Sequence, residues 1–349
     1  MSSGKVRYVL EPEDEYTHTP DAASNYNESM YLNAFDVRGG AGSEVGGWFR
    51  LGNRVNEGYA EMTVCVYLPG GRVAFAYAKP QITDNSAMSA GGLTIDVVAP
   101  FEHLTVNYSG KLCVLADPRQ MADPRTALRE NPWVPATVDL DYRGVSPMFG
   151  GKPVRADGGE LELDAEQSFS KAHYEQHCAV TGTITVGHPD HAEVIEIDGL
   201  GLRDKSWGPR YWQAIEWYRW LPIVFSDEFA MMVSVVGGRP GGMVLVGDAY
   251  HLIRDCTIET EWDADYCQDK LRISATTDHA TYDVTGEVLS LVPLRNRRGE
   301  LFTRITEAMT RYECNGQRGI GMSEYLDQVI DGVPTGPDVA SGTTAAPAA

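Results

Sequence analysis

The feature that most limits what this chain can fold into is a period-two alternation of apolar and polar residues, repeated in short runs along its length. Ala60, Met62, Val64, Val66 and Leu68 alternate with Glu61, Thr63, Cys65 and Tyr67, and the turn Pro69-Gly70-Gly71 leads into a second run from Val73 to Ala78. Successive strand side chains point to opposite faces, so two such runs joined by a tight turn read as a hairpin. Similar runs fall at 93–98, 104–108, 112–116 and 138–142. In the second half, Val180, Gly182, Ile184 and Val186 alternate with Thr181, Thr183 and Thr185, and strands are expected at 214–221, 229–236, 244–252, 258–262, 271–275, 282–292 and 302–314. Helix is expected only at 118–130, where Pro124 limits its length, and at 323–330.

Many short strands with few helices mean a sandwich or a barrel, and a meander of long antiparallel neighbours closes most simply as an up-and-down barrel. About eight strands can hold one small ligand. Thirty-six glycines and 19 prolines supply the turns, and 17 tyrosines suit strands. Glycine and proline crowd the stretch 148–160, which places a domain boundary there. The expected organisation is a barrel-like domain over 1–155, a second over 156–332, and a disordered tail of small polar residues over 333–349. The polar first stretch, to about residue 29, is expected to wrap the surface.

The net charge of -20 repels phosphate backbones and anionic lipid, which argues against nucleic acid and membrane surfaces as partners. No run is long and apolar enough to span a bilayer, and the stretch from Met1 to Thr17 lacks the apolar core of a signal peptide. The six cysteines are scattered, with neither a CxxC nor a zinc-type spacing. Reduced thiols and a cytoplasmic location follow as expectations.

One segment stands apart: Gly199-Leu200-Gly201-Leu202-Arg203-Asp204-Lys205-Ser206-Trp207-Gly208-Pro209-Arg210-Tyr211-Trp212, continuing to Trp217 and Trp220. It packs cations, one carboxylate and several indoles into a short run. On a regular strand, Leu200, Leu202, Asp204 and Ser206 share one face, with Arg203, Lys205 and Trp207 on the other. An acid at the end of an apolar face suits a carboxyl whose pKa is raised by desolvation. A structural Asp204, bridging Arg203 or Arg210, stays open beside the catalytic one. For Trp207 to share a site with Asp204, the strand must end or bulge near Ser206.

The GxGxRDxSWGxRxW string resembles the signature of the hydroxyneurosporene synthase superfamily, which includes carotenoid hydratases, AttH-like proteins and, more distantly, lipocalin-like Diels-Alderases. His173-Tyr174-Glu175-Gln176 with Gly182 and Val186-Gly187 is similar to the strand before that signature. The stretch from Glu307 to Tyr312, then Gly319, Glu324 and Tyr325, is similar to its closing strand. Glu28 to Asp36, Gly47, Arg50, Gly52 and Asn56-Glu57 look like the start of the usual partner domain. The resemblance implies an all-β chain of two tandem lipocalin-like (calycin-type) antiparallel β-barrels, with a ligand cavity in or between them. In the hydratase branch an acid protonates an isolated C=C bond and water follows. That branch often carries His where Lys205 stands, and a lysine is a poor proton shuttle near neutral pH unless desolvated. The departure argues against carotenoid hydration itself.

The expected catalytic set is therefore Asp204 and Trp207 with Glu175 and His173, which lie two apart on one strand face. Arg203, Lys205, Arg210, Trp212, Trp217, Glu57, Asp248 and His251 are the expected substrate contacts. Aromatic faces can stabilise cationic carbon. His173, Glu175 and His177 formally offer three metal ligands in period two, but no metal is expected. No GxSxG, no P-loop and no dinucleotide fingerprint is present, and no helix is expected after Gly199-Leu200-Gly201, so nucleotide cofactors are not expected either. The expected activity is cofactor-free: hydration, isomerisation or cyclisation of an apolar unsaturated small molecule of isoprenoid or polyketide type. The alternative is a non-catalytic carrier of such a ligand.

Overall fold

A computed structural model describes residues 7–36, 38, 42–155, 159 and 170–336. Two sheets dominate it, and each closes on itself through eight strands. In the first, the barrel strands in chain order are β1 (Tyr26–Asp36), β2 (Val45–Arg54), β3 (Tyr59–Tyr67), β4 (Val73–Ala78), β5 (His103–Leu115), β6 (Trp133–Gly144), β7 (Ala172–Val186) and β8 (Glu193–Pro209). Each pairs with the next, and β8 returns to β1. The second runs β9 (Trp217–Ser226), β10 (Phe229–Val236), β11 (Arg239–Val246), β12 (Ala249–Trp262), β13 (Gln268–Thr277), β14 (Thr281–Arg298), β15 (Leu301–Cys314) and β16 (Gln317–Ile330), and β16 closes on β9. Both are up-and-down antiparallel barrels built from the alternating runs, the all-β lipocalin-like fold that the resemblance implies. Among the described residues no helix is long and apolar enough to cross a membrane, and the six cysteines are free thiols.

The alternation sorts side chains into three cores. Met30, Leu32, Phe49, Val64, Val106, Leu140 and Val180 fill the first barrel. Leu221, Val233, Trp262, Ile273, Tyr312 and Tyr325 fill the second. The alternate residues of the same strands form a third core between the barrels, where Phe35, Trp48, Tyr67 and Phe75 meet Val224, Leu245, Met309 and Met322. Fully burying such side chains contributes about 1.5–3 kcal/mol each.

The expected division near residue 155 is corrected. β7 and β8 follow it in sequence but complete the first barrel, and the sheets change over between Pro209 and Trp217. Six barrel strands precede that expected boundary, and the ring closes only when β7 and β8 join β6 to β1. The strand Phe149–Val154 is an edge excursion pairing with β7 and with Arg7–Val9, so its glycines serve a local crossing rather than a linker. The helix expected at 323–330 is strand β16, because pairing with both β15 and β9 is what shuts the second barrel. The helical stretch at 118–130 is found as a 3-10 turn (Pro118–Ala122) and an α-helix (Pro124–Glu130), with Pro124 starting the helix. The tail expected at 333–349 begins with Val333–Pro334 paired to β16, and its residues 337–349 lie outside the described residues.

The first stretch does more than wrap the surface. Its 3-10 turn Pro12–Glu15 inserts Glu15, 1% exposed, against the inward face of β8. The Arg203 guanidinium donates to both Glu15 carboxylate oxygens at 2.5 and 2.7 Å. Lys205 donates to the Asp14 and Tyr16 carbonyls, each at 2.7 Å, and lies 2.9 Å from Glu28. Trp207 stacks on His18 with ring centroids 4.0 Å apart. The glycines of the signature have a separate cause. A Cβ on Gly201 would sit 1.9 Å from the Asn33 carbonyl oxygen, so only glycine lets β8 run this close to β1.

Candidate functional site

The outward face of β7 and β8 carries the chemistry. Glu175 and Asp204 are direct cross-strand partners, and His173 lies two residues before Glu175 on the same face. His173 Nε2 donates to Asp204 Oδ2 and lies 3.5 Å from Glu175 Oε1. One ligand-type atom from each of the three falls within 4.8 Å of the others. The second barrel reaches into the set, with Trp220 on β9 donating its indole N–H to Glu175 Oε1 at 2.8 Å. Glu175 is fully buried, and its Oε2 has no hydrogen-bond partner among the described residues.

Electrostatics separate the three. Burial, with Asp204 adding its charge, pushes Glu175 up to about 7 against the pull of His173 and the Trp220 hydrogen bond. Burial opposes charge on His173, but the Asp204 carboxylate outweighs it and lifts the ring to about 9. The His173 side chain keeps 41% of its surface accessible while Glu175 beside it keeps none, so the ring lines the open side of the site. His173 therefore stays protonated through neutral pH. NMR titration of the ring should place its midpoint near 9, and Asp204→Asn should drop it by more than a unit, because the strongest partner of the charged ring is gone and only Glu175 still opposes desolvation. Asn leaving the midpoint unchanged would mean that Asp204 is not its counter-ion. The sign for stability follows: this contribution is complete below the unfolded value of about 6.5 and is lost as pH rises through about 9.

Of the residues expected from sequence, His173, Glu175, Asp204, Arg210 and Trp212 are brought together. Arg210 is buried, donates to Ser206 Oγ at 2.6 Å and acts on the His173 charge. Its guanidinium carbon and that of Arg50 lie 5.0 and 5.7 Å from the Trp212 ring centroid. The others are elsewhere. Trp207, Arg203 and Lys205 face into the first barrel, since β8 continues to Pro209 in unbroken register with β7 and no bulge turns Trp207 outward. Trp217 lies on the inner side of the second barrel by Arg219. Glu57 pairs with Arg54 on a 3-10 turn. Asp248 is exposed between β11 and β12, and His251 packs on His279 with centroids 4.2 Å apart. His177 shares the face of Glu175 but turns to the Tyr250 hydroxyl, 3.0 Å from Nδ1, and burial pushes it down to about 4. The metal-like grouping is therefore His173, Glu175 and Asp204 rather than His173, Glu175 and His177, and in this structure a direct hydrogen bond already joins two of its members.

Sequence reasoning offered Trp220 as a cavity-lining indole but did not place Tyr218, Glu307, Glu324 and Arg50 in the site. Tyr218 on β9 donates to Glu324. Glu307 lies between Ile305 and Met309, and Glu324 between Met322 and Leu326, on their strand faces, a signal visible in the sequence but not tied to any partner.

Comparison with solved structures finds the same architecture. An AttH-like protein from Nitrosomonas europaea is 13% identical, with 93% of this chain and 98% of that chain covered at a TM-score of 0.56. Kievitone hydratase from Nectria haematococca is 11% identical, with 93% of each chain covered at a TM-score of 0.55. At these identities the likeness is one of fold. No curated protein matches the sequence. A family model described as "Domain of unknown function (DUF7064)" matches residues 11–329, nearly the whole of both barrels, and the chain belongs to that family.

Proposed function

We propose that this protein is an enzyme that hydrates, isomerises or cyclises an apolar unsaturated small molecule by proton transfer at the site between its barrels. The observation that carries the reading is Glu175 Oε2: buried, unpartnered, and on a carboxyl raised to about 7. A general acid works best when its pKa lies near the working pH. Glu175 donates its proton to one carbon of a C=C bond, whose π pair forms the new C–H bond. The Trp220 and Tyr31 rings, at 5.4 Å edge to face, border the cationic carbon. Asp204, which the sequence favoured as the donor, holds the His173 ring and keeps it protonated, so an imidazolium stands beside the carboxylate that Glu175 becomes. The reading uses no cofactor, and its substrate is a lipophilic small molecule.

The test is to purify the chain from its source cells, identify any retained lipophile by native mass spectrometry, and incubate the protein with it and with its unsaturated relatives. A product heavier by one water, or an isomer of equal mass, supports the proposal. Tight binding without turnover leaves a carrier. Activity lost to a chelator and restored by one metal would make His173, Glu175 and Asp204 ligands instead.

A further inference from the structure

Across from Glu175, the second barrel turns a pair of acids toward the first. Glu307 on β15 and Glu324 on β16 are direct cross-strand partners, so both side chains leave the sheet on one face. Like charges so placed repel. Glu307 is 5% exposed, and its Oε2 has no hydrogen-bond partner among the described residues. The groups facing the pair are Tyr31 on β1, Arg50 on β2, Cys65 and Tyr67 on β3, Glu175 on β7, Asp204 on β8 and Tyr218 on β9. The cation among them, Arg50, is already 3.4 Å from Glu61. The Tyr67 hydroxyl goes to the Glu307 backbone carbonyl at 3.1 Å rather than to its carboxyl. Two buried carboxyls without an ion-pair partner cannot both ionise cheaply, and a structural role gives no reason to place them opposite each other.

We propose that Glu307 and Glu324 share one proton and form a second acid–base station, facing Glu175 across the site. This rests on the proposed function and supplies the base that a single acid lacks. In a hydration, Glu175 gives its proton to one alkene carbon, and the water oxygen's lone pair forms the C–O bond to the other. The proton that water loses goes to the ionised member of the pair, and solvent returns it to Glu175. In an isomerisation the same carboxylate takes a proton from the carbon next to the cation, and that C–H pair becomes the new double bond. Burial favours the shared proton: burial and the Glu324 charge push Glu307 well above the usual carboxylate range, and burial and the Asp204 charge push Glu324 up to about 7 against the Tyr218 and Glu307 hydrogen bonds.

The probe is p-nitrophenyl glycidyl ether, an apolar epoxide. A carboxylate oxygen attacks the terminal epoxide carbon, the ring C–O bond breaks, and the alkoxide takes its proton from the neighbouring carboxyl. The expected result is one ester per chain, mapped by mass spectrometry to Glu307 or Glu324. Its rate should fall on both the acid and the alkaline side, since labelling needs one ionised and one protonated carboxyl. Glu307→Gln and Glu324→Gln should each cut the rate at least about tenfold, while Glu175→Gln keeps the label. No label on either glutamate overturns the proposal, as does labelling that survives both substitutions. Label on Glu175 alone overturns it and leaves the proposed function standing. Thermal unfolding covers the case of poor folding. Above about pH 8, Glu307→Gln should melt higher than the wild type, because a buried carboxyl with a raised pKa loses stability as pH rises. A lower melting temperature there would reveal a structural ion pair and overturn the proposal.

Discussion

Glu175→Gln should lower turnover at least about a hundredfold and leave the protein no less stable. Gln keeps the shape and can still accept the Trp220 indole N–H, so the contact between the barrels survives. What it cannot do is release a proton. The stability sign is opposite to that of a salt-bridged acid. Glu175 has a folded pKa of about 7 against an ordinary value of 4.5. Its effect on folding is absent at low pH and grows unfavourable as pH rises through that interval. At about pH 8 the Gln variant should exceed the wild type by up to about 3 kcal/mol. Turnover measured beside a denaturation curve at about pH 5 and about pH 8 decides the matter. Loss of stability at the higher pH would mark Glu175 as a structural partner of His173, and unchanged turnover would remove it as the proton donor.

Arg203→Met should cost about 3–5 kcal/mol, although it touches no residue of the proposed site. Arg203 and Glu15 are 2% and 1% exposed, and their two hydrogen bonds fasten the N-terminal segment into the mouth of the first barrel. Removing one partner strands a charge where water cannot reach it. Tyr174, which donates to Glu15 Oε1 at 2.9 Å, cannot compensate for a missing guanidinium. The double variant Glu15→Leu with Arg203→Met should recover most of the loss, since replacing a buried pair with apolar groups of similar size is often close to neutral. Urea denaturation of the two single variants and the double is the measurement. A single variant losing less than about 1 kcal/mol would mean that the segment is held by packing alone.

These two outcomes separate the two faces of the β7–β8 pair. Arg203 and Asp204 are neighbours, yet one pairs with Glu15 inside the first barrel and the other with His173 at the proposed site. That split was legible in the sequence, because side-chain parity along a strand is a local property: Leu202, Asp204 and Ser206 oppose Arg203, Lys205 and Trp207 wherever the strand lies. The same parity excluded Trp207 from the acid's side unless a bulge intervened, and the register shows none. What covers each face is not local. Arg203 and Lys205 looked like ligand contacts because nothing in the run 199–212 reveals that Glu15 and Glu28, more than 170 positions earlier, neutralise them.

The all-β class follows from the sequence itself, because period two over many short runs buries its apolar faces only in sheets, either stacked as a sandwich or closed as a barrel. Which strands close which ring was decided only by the tertiary structure. A run such as Val180 to Val186 states that it has one apolar side, and it carries no mark of the sheet it will join. β7 and β8 complete the first barrel because β6 and β1 present the free edges that they fill. The site shows the same limit. Glu175, His173 and Asp204 could be read as one face of neighbouring strands. Trp220, Glu324 and Glu307 reach them only after two closed barrels have packed wall to wall, and the raised carboxyl pKa values come from that packing, since desolvation depends on what surrounds a group in space rather than along the chain.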